Sequence, residues 1–408
     1  MPLTPRLPAA AGVAGTAPRW RARAAHGLVG GILPAGLYVL LTGLFWAGDR
    51  ANVHTLFYAL VAFPAFVLLV LQPRSAEALG RSPVFLAFAI FAAWCALSIA
   101  WSDSEDSAGS LLKRPLYIAL LFVALLQIGQ SQARRLEDVL KLGTATAVIA
   151  GALSIAAFLA GNDERLTGYR ALSNPILTSH VYGFFLALCL GAWMIAPRAD
   201  GGWRRLLAPF ALAVLAAVLF ATAARGALAA AAVTVLWLAL MVRSRRALAV
   251  CALLAAGGLA IVALAPDVVT QRGTSYRPEL WAETLREVRL RPWLGYGFEA
   301  NIMLHLPGHD IGYPNPHNIH LAVLRQQGIV GLALWAALYA TALGCAWRRR
   351  HDPRVLIASG TVVFGMVAGI TEGVAYLSRP KEHWFMLWIP FALLSTALTL
   401  HRFSDDRS

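Results

Sequence analysis

Residues 206–242 read LLAPFALAVLAAVLFATAARGALAAAAVTVLWLALMV. Two apolar runs, 206–222 and 226–242, are joined here by almost nothing, and each approaches the roughly 20 residues that a helix needs to cross a bilayer. Composition decides between a membrane hairpin and a buried core. Of 408 residues, 58% are hydrophobic and only 14% charged, with a mean hydropathy of +0.62. A soluble domain is ~45–50% apolar and ~25% charged, so this chain cannot enclose a core and still present a polar surface. The stretch is a transmembrane hairpin, and water-soluble classes are excluded.

Similar runs lie at about 27–47, 55–71, 84–101, 115–130, 144–160, 181–196, 247–264, 329–347, 355–376 and 385–401, for about twelve spans in all. The expected fold is an all-α polytopic membrane protein. Residues 1–26, with Arg6, Arg19, Arg21 and Arg23, form a tail before a run too long for a signal-peptide core and lacking a small-residue cleavage site, so that run reads as a retained signal anchor. Nine spans then occupy 27–264, a loop 265–316, and an edge helix with three more spans 317–401, before a tail at 402–408. Cys95, Cys189, Cys251 and Cys345 all fall in apolar runs and read as small buried hydrophobes, not as a disulfide framework or a zinc site.

The formal charge of +14 would point to nucleic acid in a soluble protein. Here its distribution matters more. Twelve spans put both termini on one side; the loops of that side carry the whole excess, and the opposite loops sum to zero, with Arg325 and Glu372 cancelling in or beside spans. Positive loops are cytoplasmic, so the charge reports a topology with both termini inside and not a polyanionic partner.

The loop at 265–316 is the long one, and long loops usually carry function. Within it SYRPELWAETLREVRLRP reads as an amphipathic helix lying as a lid on the outer membrane surface. Pro278 stands near its start, Trp281, Leu285 and Val288 form one face, Glu279 and Glu283 come early, Arg286 and Arg289 late, and Pro292 is the stop. The following WLGYGFEAN, with Gly295 and Gly297, suits a tight turn facing a ligand.

Candidate chemistry concentrates in YPNPHNIHLAVLRQQGIVGLALW, residues 313–335. His317 and Asn318 follow a proline where loop becomes helix. A histidine there can act as a general base near neutral pH, or sit as an interfacial residue bonded to the backbone. His320, three residues on, reads as a structural neighbour. Arg225 at the hairpin tip points to a bound anion, or to a side chain snorkelling to the interface. Arg165, Tyr169, Arg170 and Asn174 in GNDERLTGYRALSNP, with Arg277 and Arg291 of the long loop, each read singly as a solvated loop residue; together their arginines bring planar donor forks that fit phosphate oxygens to a side with no net charge.

No glycine loop ending in GK[ST], HExxH, paired CxxC or GxSxG is present, so ATP hydrolysis, zinc proteolysis and serine hydrolysis have no support. The acidic SDSEDS, with Asp103, Glu105 and Asp106, reads as a solvated loop more readily than as a site for a hard cation.

Taken in order, the ARG hairpin at 224–226, YRPELWAETLREVRLRPWLGYGFEAN at 276–301 and PHNIHLAVLRQQGIVGL at 316–332 resemble the O-antigen ligase and polymerase superfamily. The similarity covers roughly 165–345. The family pattern often has SRG where this chain has Ala224-Arg225-Gly226, which keeps the arginine and removes a hydroxyl. The resemblance implies a GT-C-like fold in the Gram-negative inner membrane, with the long loop and the active site at the periplasmic face. The implied partners are undecaprenyl-diphosphate-linked O-antigen as donor and lipid A-core oligosaccharide as acceptor, with neither cofactor nor metal. Carried over by position, His317 is the catalytic base and Arg225 and Arg277 bind the diphosphate; Arg170, Arg165 and Arg291 are further donor-binding candidates, and Tyr276, Asn318, Gly295 and Gly297 support them. Length and the single dominant loop favour the ligase over the polymerase. A pilin-glycosylating relative usually has a further C-terminal region, whereas this chain runs only eight residues past its final span. A flippase or exporter of lipid-linked sugar, the reading from another class, would place charges deep along its spans.

Overall fold

Among the described residues nine helices are long and apolar enough to cross a membrane. The computed structural model describes residues 19–405, apart from 73, 196–203, 244–251, 253–275, 307, 309–310 and 374. In chain order the main helices are α1 (Arg23–Trp46), α2 (Arg50–Leu71), α3 (Arg74–Gly80), α4 (Pro83–Ser98), α5 (Ala108–Ser131), α6 (Ala133–Ala160), α7 (Pro175–Ile195), α8 (Arg204–Ala221), α9 (Arg225–Val242), α10 (Arg277–Leu290), α11 (Ile319–Arg348), α12 (Pro353–Ala368), α13 (His383–Met386) and α14 (Trp388–Asp405). The apolar parts of α8 and α12 are shorter than the nine, and with them eleven of the twelve expected apolar runs carry a helix among the described residues. The span at 247–264 and loop residues 265–275 lie outside the described residues, apart from Ala252. A two-residue antiparallel pair, Leu304–His305 with Gly312–Tyr313, is the only strand pairing among the described residues. The fold is an all-α polytopic membrane protein.

Limits differ from those expected because amphipathic turns extend the apolar runs. Thus α6 begins at Ala133 and not near 144, and α11 begins at Ile319 and not near 329. The run at 355–376 is not one span. Its helix stops at Ala368, and the chain from Gly369 to Glu382 folds back irregularly, with Tyr376, Leu377 and Ser378 buried, before α13 and α14 return through the centre of the bundle.

The element that organises this centre is a break in α11. Gly328 has φ +66° and ψ −169°, far from helical values. The broken turn frees the Arg325 and Gln326 carbonyls, which accept from Tyr296 N at 3.1 Å and Gly297 N at 2.8 Å, while Ile329 N donates to the Pro292 carbonyl at 2.8 Å. Unpaired backbone in a bilayer costs several kcal/mol, so such a break survives only where other protein groups re-pair it. The WLGYG loop does this. Gly295, also at positive φ, lies so close that an added Cβ would sit 2.5 Å from Gly328 N. Of the two glycines read as facing a ligand, Gly295 packs on the kink, and Gly297 bonds it through N–H while packing against Ser98 and Ser102.

Side chains extend the seam. Tyr376 Oη donates to Gln326 Oε1 at 2.6 Å and accepts from Gln327 Nε2 at 2.9 Å, tying the folded-back segment to α11. Ser102 Oγ donates to the Phe298 carbonyl, Asn301 N donates to the Asp103 carbonyl, and Asn301 Nδ2 donates to Glu105. With Asp106 and Glu299 both paired to Arg114, the acidic loop straps the long loop down. Arg325 is buried against Glu287 of α10, Nε to Oε2 2.8 Å, and so is a packing ion pair. On α10 the buried face is Leu280, Thr284 and Val288; Leu285, expected there, is turned out because the helix seats about one position away from the expected stripe.

Replacing Gly328 by Ala puts a Cβ 2.2 Å from the Trp293 carbonyl oxygen in a conformation nearly restricted to glycine. We expect a loss of at least about 1–3 kcal/mol, read as a lower unfolding temperature in detergent. Gly344→Ala on the same helix, where nothing lies within 4 Å, should leave that temperature unchanged.

Candidate active site

Three helices begin around one cleft, and each follows a residue with left-handed backbone. Ala223 (φ 49°) precedes the start of α9 at Arg225, Tyr276 (φ 55°) precedes α10 at Arg277, and His317 (φ 48°) precedes the Asn318 cap of α11. Non-glycine residues seldom adopt this conformation, and it reverses the chain sharply enough to bring the next helix start to the same place. The cleft holds about 530 Å³, lined by Arg165, His180, Arg225, Arg277, Trp281, His317 and Thr371 among others. Neither α9 nor α10 has a side-chain cap. Helix starts carry partial positive charge and unpaired N–H groups, so together with the arginines they make the cleft attractive to an anion.

Two of the arginines are held by backbone carbonyls. Arg277 Nε donates to the Thr371 carbonyl at 3.0 Å, and its Nη2 lies 3.7 Å from Glu372 Oε2. Arg165 Nε donates to the Thr222 carbonyl at 2.9 Å, in the turn between α8 and α9. Arg225 lines the cleft as the first residue of α9. The neighbouring Gly226 is required by close approach: an added Cβ would lie 1.8 Å from Thr371 Oγ1, so only glycine lets α9 meet the 371–372 turn.

His317 is partly exposed, its side chain 40% accessible, and its Nδ1 lies 3.3–3.4 Å from the Glu372 carboxylate. A carboxylate on Nδ1 favours the tautomer that leaves Nε2 as the proton acceptor. Burial raises the Glu372 pKa, but the His317 hydrogen bond, the nearby His180 and His317 imidazoles and the Gly373 N–H outweigh it and bring the pKa down to about 2. The buried imidazole of His180 completes the inner wall of the cleft.

Other candidates fall elsewhere. Arg170 is exposed and stacks over Tyr169 at 5.4 Å, outside the cleft. Arg291 stacks over Tyr296 at 5.0 Å, also outside it. Asn318 accepts from His320 N and Leu321 N as the cap of α11, and Tyr276 is the residue that launches α10. His320 is half-buried, with its ring bonded to the Met366 carbonyl and to Trp335, as a structural neighbour. Sequence reasoning counted Glu372 only in the charge balance and passed over Thr371 and His180. An acidic residue in an apolar run was a usable signal for Glu372, whereas the pattern around His180 carries none.

The depressed Glu372 pKa fixes a sign. Between about 4.5 and about 2 the unfolded chain binds the extra proton, so stability from this group is present above that window and is lost as pH falls through it. The melting midpoint should drop with acidification there, and Glu372→Gln should flatten that part of the curve.

Residues 210–336, which span this cleft apart from Arg165, His180 and the 371–372 turn, match the family model described as O-antigen ligase. A curated O-antigen ligase of Pseudomonas aeruginosa is 46% identical over 380 residues, covering 92% of this chain and 93% of that protein. Identity of that level runs across nearly the whole of both chains, and so the chain belongs to the O-antigen ligase family.

Proposed function

We propose that the chain is an inverting glycosyltransferase which moves O-antigen polysaccharide from undecaprenyl diphosphate to lipid A-core oligosaccharide, completing lipopolysaccharide at the periplasmic face of the Gram-negative inner membrane. The observation that carries this reading is the meeting of Arg165, Arg225 and Arg277 with the starts of α9 and α10 in the cleft that also holds the His317–Glu372 pair.

The chemistry follows from the charges. An acceptor hydroxyl attacks C1 of the donor sugar, the C1 to phosphate-oxygen bond breaks, and its electron pair leaves on the diphosphate. Arginine forks and helix starts stabilise that developing charge in a cleft partly shielded from water. The hydroxyl proton passes to Nε2 of His317, while Nδ1–H stays directed at Glu372, as in other carboxylate-supported imidazole bases. Attack from the side opposite the leaving group inverts C1. The glycosyl diphosphate carries the driving energy, so no nucleotide is needed, and the arginines supply the charge neutralisation that a metal would otherwise bring. The positive loops at the ends remote from the cleft support cytoplasmic termini.

The deciding experiment is reconstitution with lipid-linked O-antigen and purified rough lipopolysaccharide. Capped lipopolysaccharide is the expected product; longer lipid-linked chains would make the chain a polymerase, and leaflet movement without transfer would make it a transporter. In that assay His317→Ala should lose ~10²–10⁴-fold in rate while inserting normally. Arg225→Lys should also impair transfer, because a point charge does not replace a planar fork. Wild-type rates in either variant would remove that residue from the mechanism.

A further inference from the structure

We propose that the face opposite the cleft carries a site for one anionic phospholipid of the surrounding bilayer. Its phosphate would be held by Arg348, Arg349 and Arg354, with part of an acyl chain in a groove between α6, α12 and α14. The proposal stands independently of the transferase reading.

The head site is a cavity of about 600 Å³ where α11 ends and α12 begins, lined by Arg348, Arg349, His351 and Arg354 together with Glu137 and Asp352. Its two carboxylates are already engaged. Glu137 Oε1 accepts from Arg354 Nε at 2.9 Å, and Asp352 Oδ1 caps α12 by accepting from Arg354 N at 2.8 Å. Three guanidiniums against two carboxylates leave the cavity one positive charge in excess, and a guanidinium cluster suits phosphate oxygens better than any neutral ligand.

Directly beside it runs a shallow groove lined by Leu136, Leu140, Ile357, Leu393, Ala397 and Leu400, and the two share Glu137 and Arg354. The groove is almost wholly apolar. A phosphate site that opens onto a hydrocarbon groove fits a molecule with a charged head and a chain. Free phosphate leaves the groove unused, and a zwitterionic lipid meets the arginines with no net charge.

Depth agrees with this assignment. Trp347, 38% exposed, stands at the same helix end with Arg350 5.5 Å over its ring. Tryptophan and arginine collect at the headgroup level of a bilayer, and basic pockets between helix ends are where acidic headgroups bind.

The test uses the whole chain, purified and delipidated in detergent. Ligand that binds only the folded state raises the melting midpoint. Added phosphatidylglycerol should raise it by several degrees, while phosphatidylcholine and inorganic phosphate should not. Native mass spectrometry should retain phosphatidylglycerol in preference to phosphatidylcholine on the wild-type chain, a readout that needs no variant. The Arg348→Gln/Arg349→Gln double variant should lose the rise measured from its own lipid-free midpoint, and Leu393→Trp, which fills the groove, should reduce it. Equal effects of the two lipids, the same rise with inorganic phosphate, or an undiminished rise in the double variant would overturn the proposal.

Discussion

A bilayer offers no partner to an open peptide group, and the break in α11 at Gly328 is where that demand shapes this molecule. An unbroken helix would have left the long loop free to lie anywhere on the surface. Once the turn opens, the freed carbonyls and amides must be met, and residues 292–297 meet them from outside the helix. The loop that carries α10 is therefore anchored at its C-terminal end by backbone, with the side-chain contacts to the acidic loop and to Arg325 added to it. Its glycines are the condition for that approach, and Arg277 at the other end of α10 inherits a fixed position from it.

Positive charge in the cleft is supplied at two scales. The arginines are discrete donors, each fastened by Nε to a carbonyl of a neighbouring turn in the cases of Arg165 and Arg277. The helix starts add a field that needs no side chain at all. Against these stands a single carboxylate, Glu372, kept ionised by the imidazoles and the amide around it. The arrangement keeps the cleft cationic toward a ligand while giving His317 a partner that settles its protonated nitrogen.

The membrane class, eleven of the twelve apolar runs as helices and the helix at α10 were legible because hydrophobic runs and a proline-to-proline amphipathic segment are local signals. Arg225, Arg277, Arg165 and His317 were legible as candidates because polar residues at helix ends in an apolar chain are few. What could not be read was anything that depends on where the chain bends inside the membrane. The run at 355–376 is apolar enough to span, so nothing local announces that its helix stops at Ala368 and delivers Glu372 to His317. Arg170 and Arg291 have the right chemistry in the right loops, yet each stacks on a nearby tyrosine and stays out of the cleft. The Leu285 face failed for a subtler reason: stripe position follows from the partner surface, and the partner surface is the broken α11.

Arg277 holds the Thr371 carbonyl and faces Glu372, which in turn holds His317, so a lid helix and a proton acceptor share one chain of contacts. If α10 swings outward to admit a bulky glycan, the two Arg277 contacts open, and the turn that presents Glu372 to His317 loses its tie to the helix above it. On the proposed reaction, the seating of that helix and the support of the proton acceptor meet at one short turn.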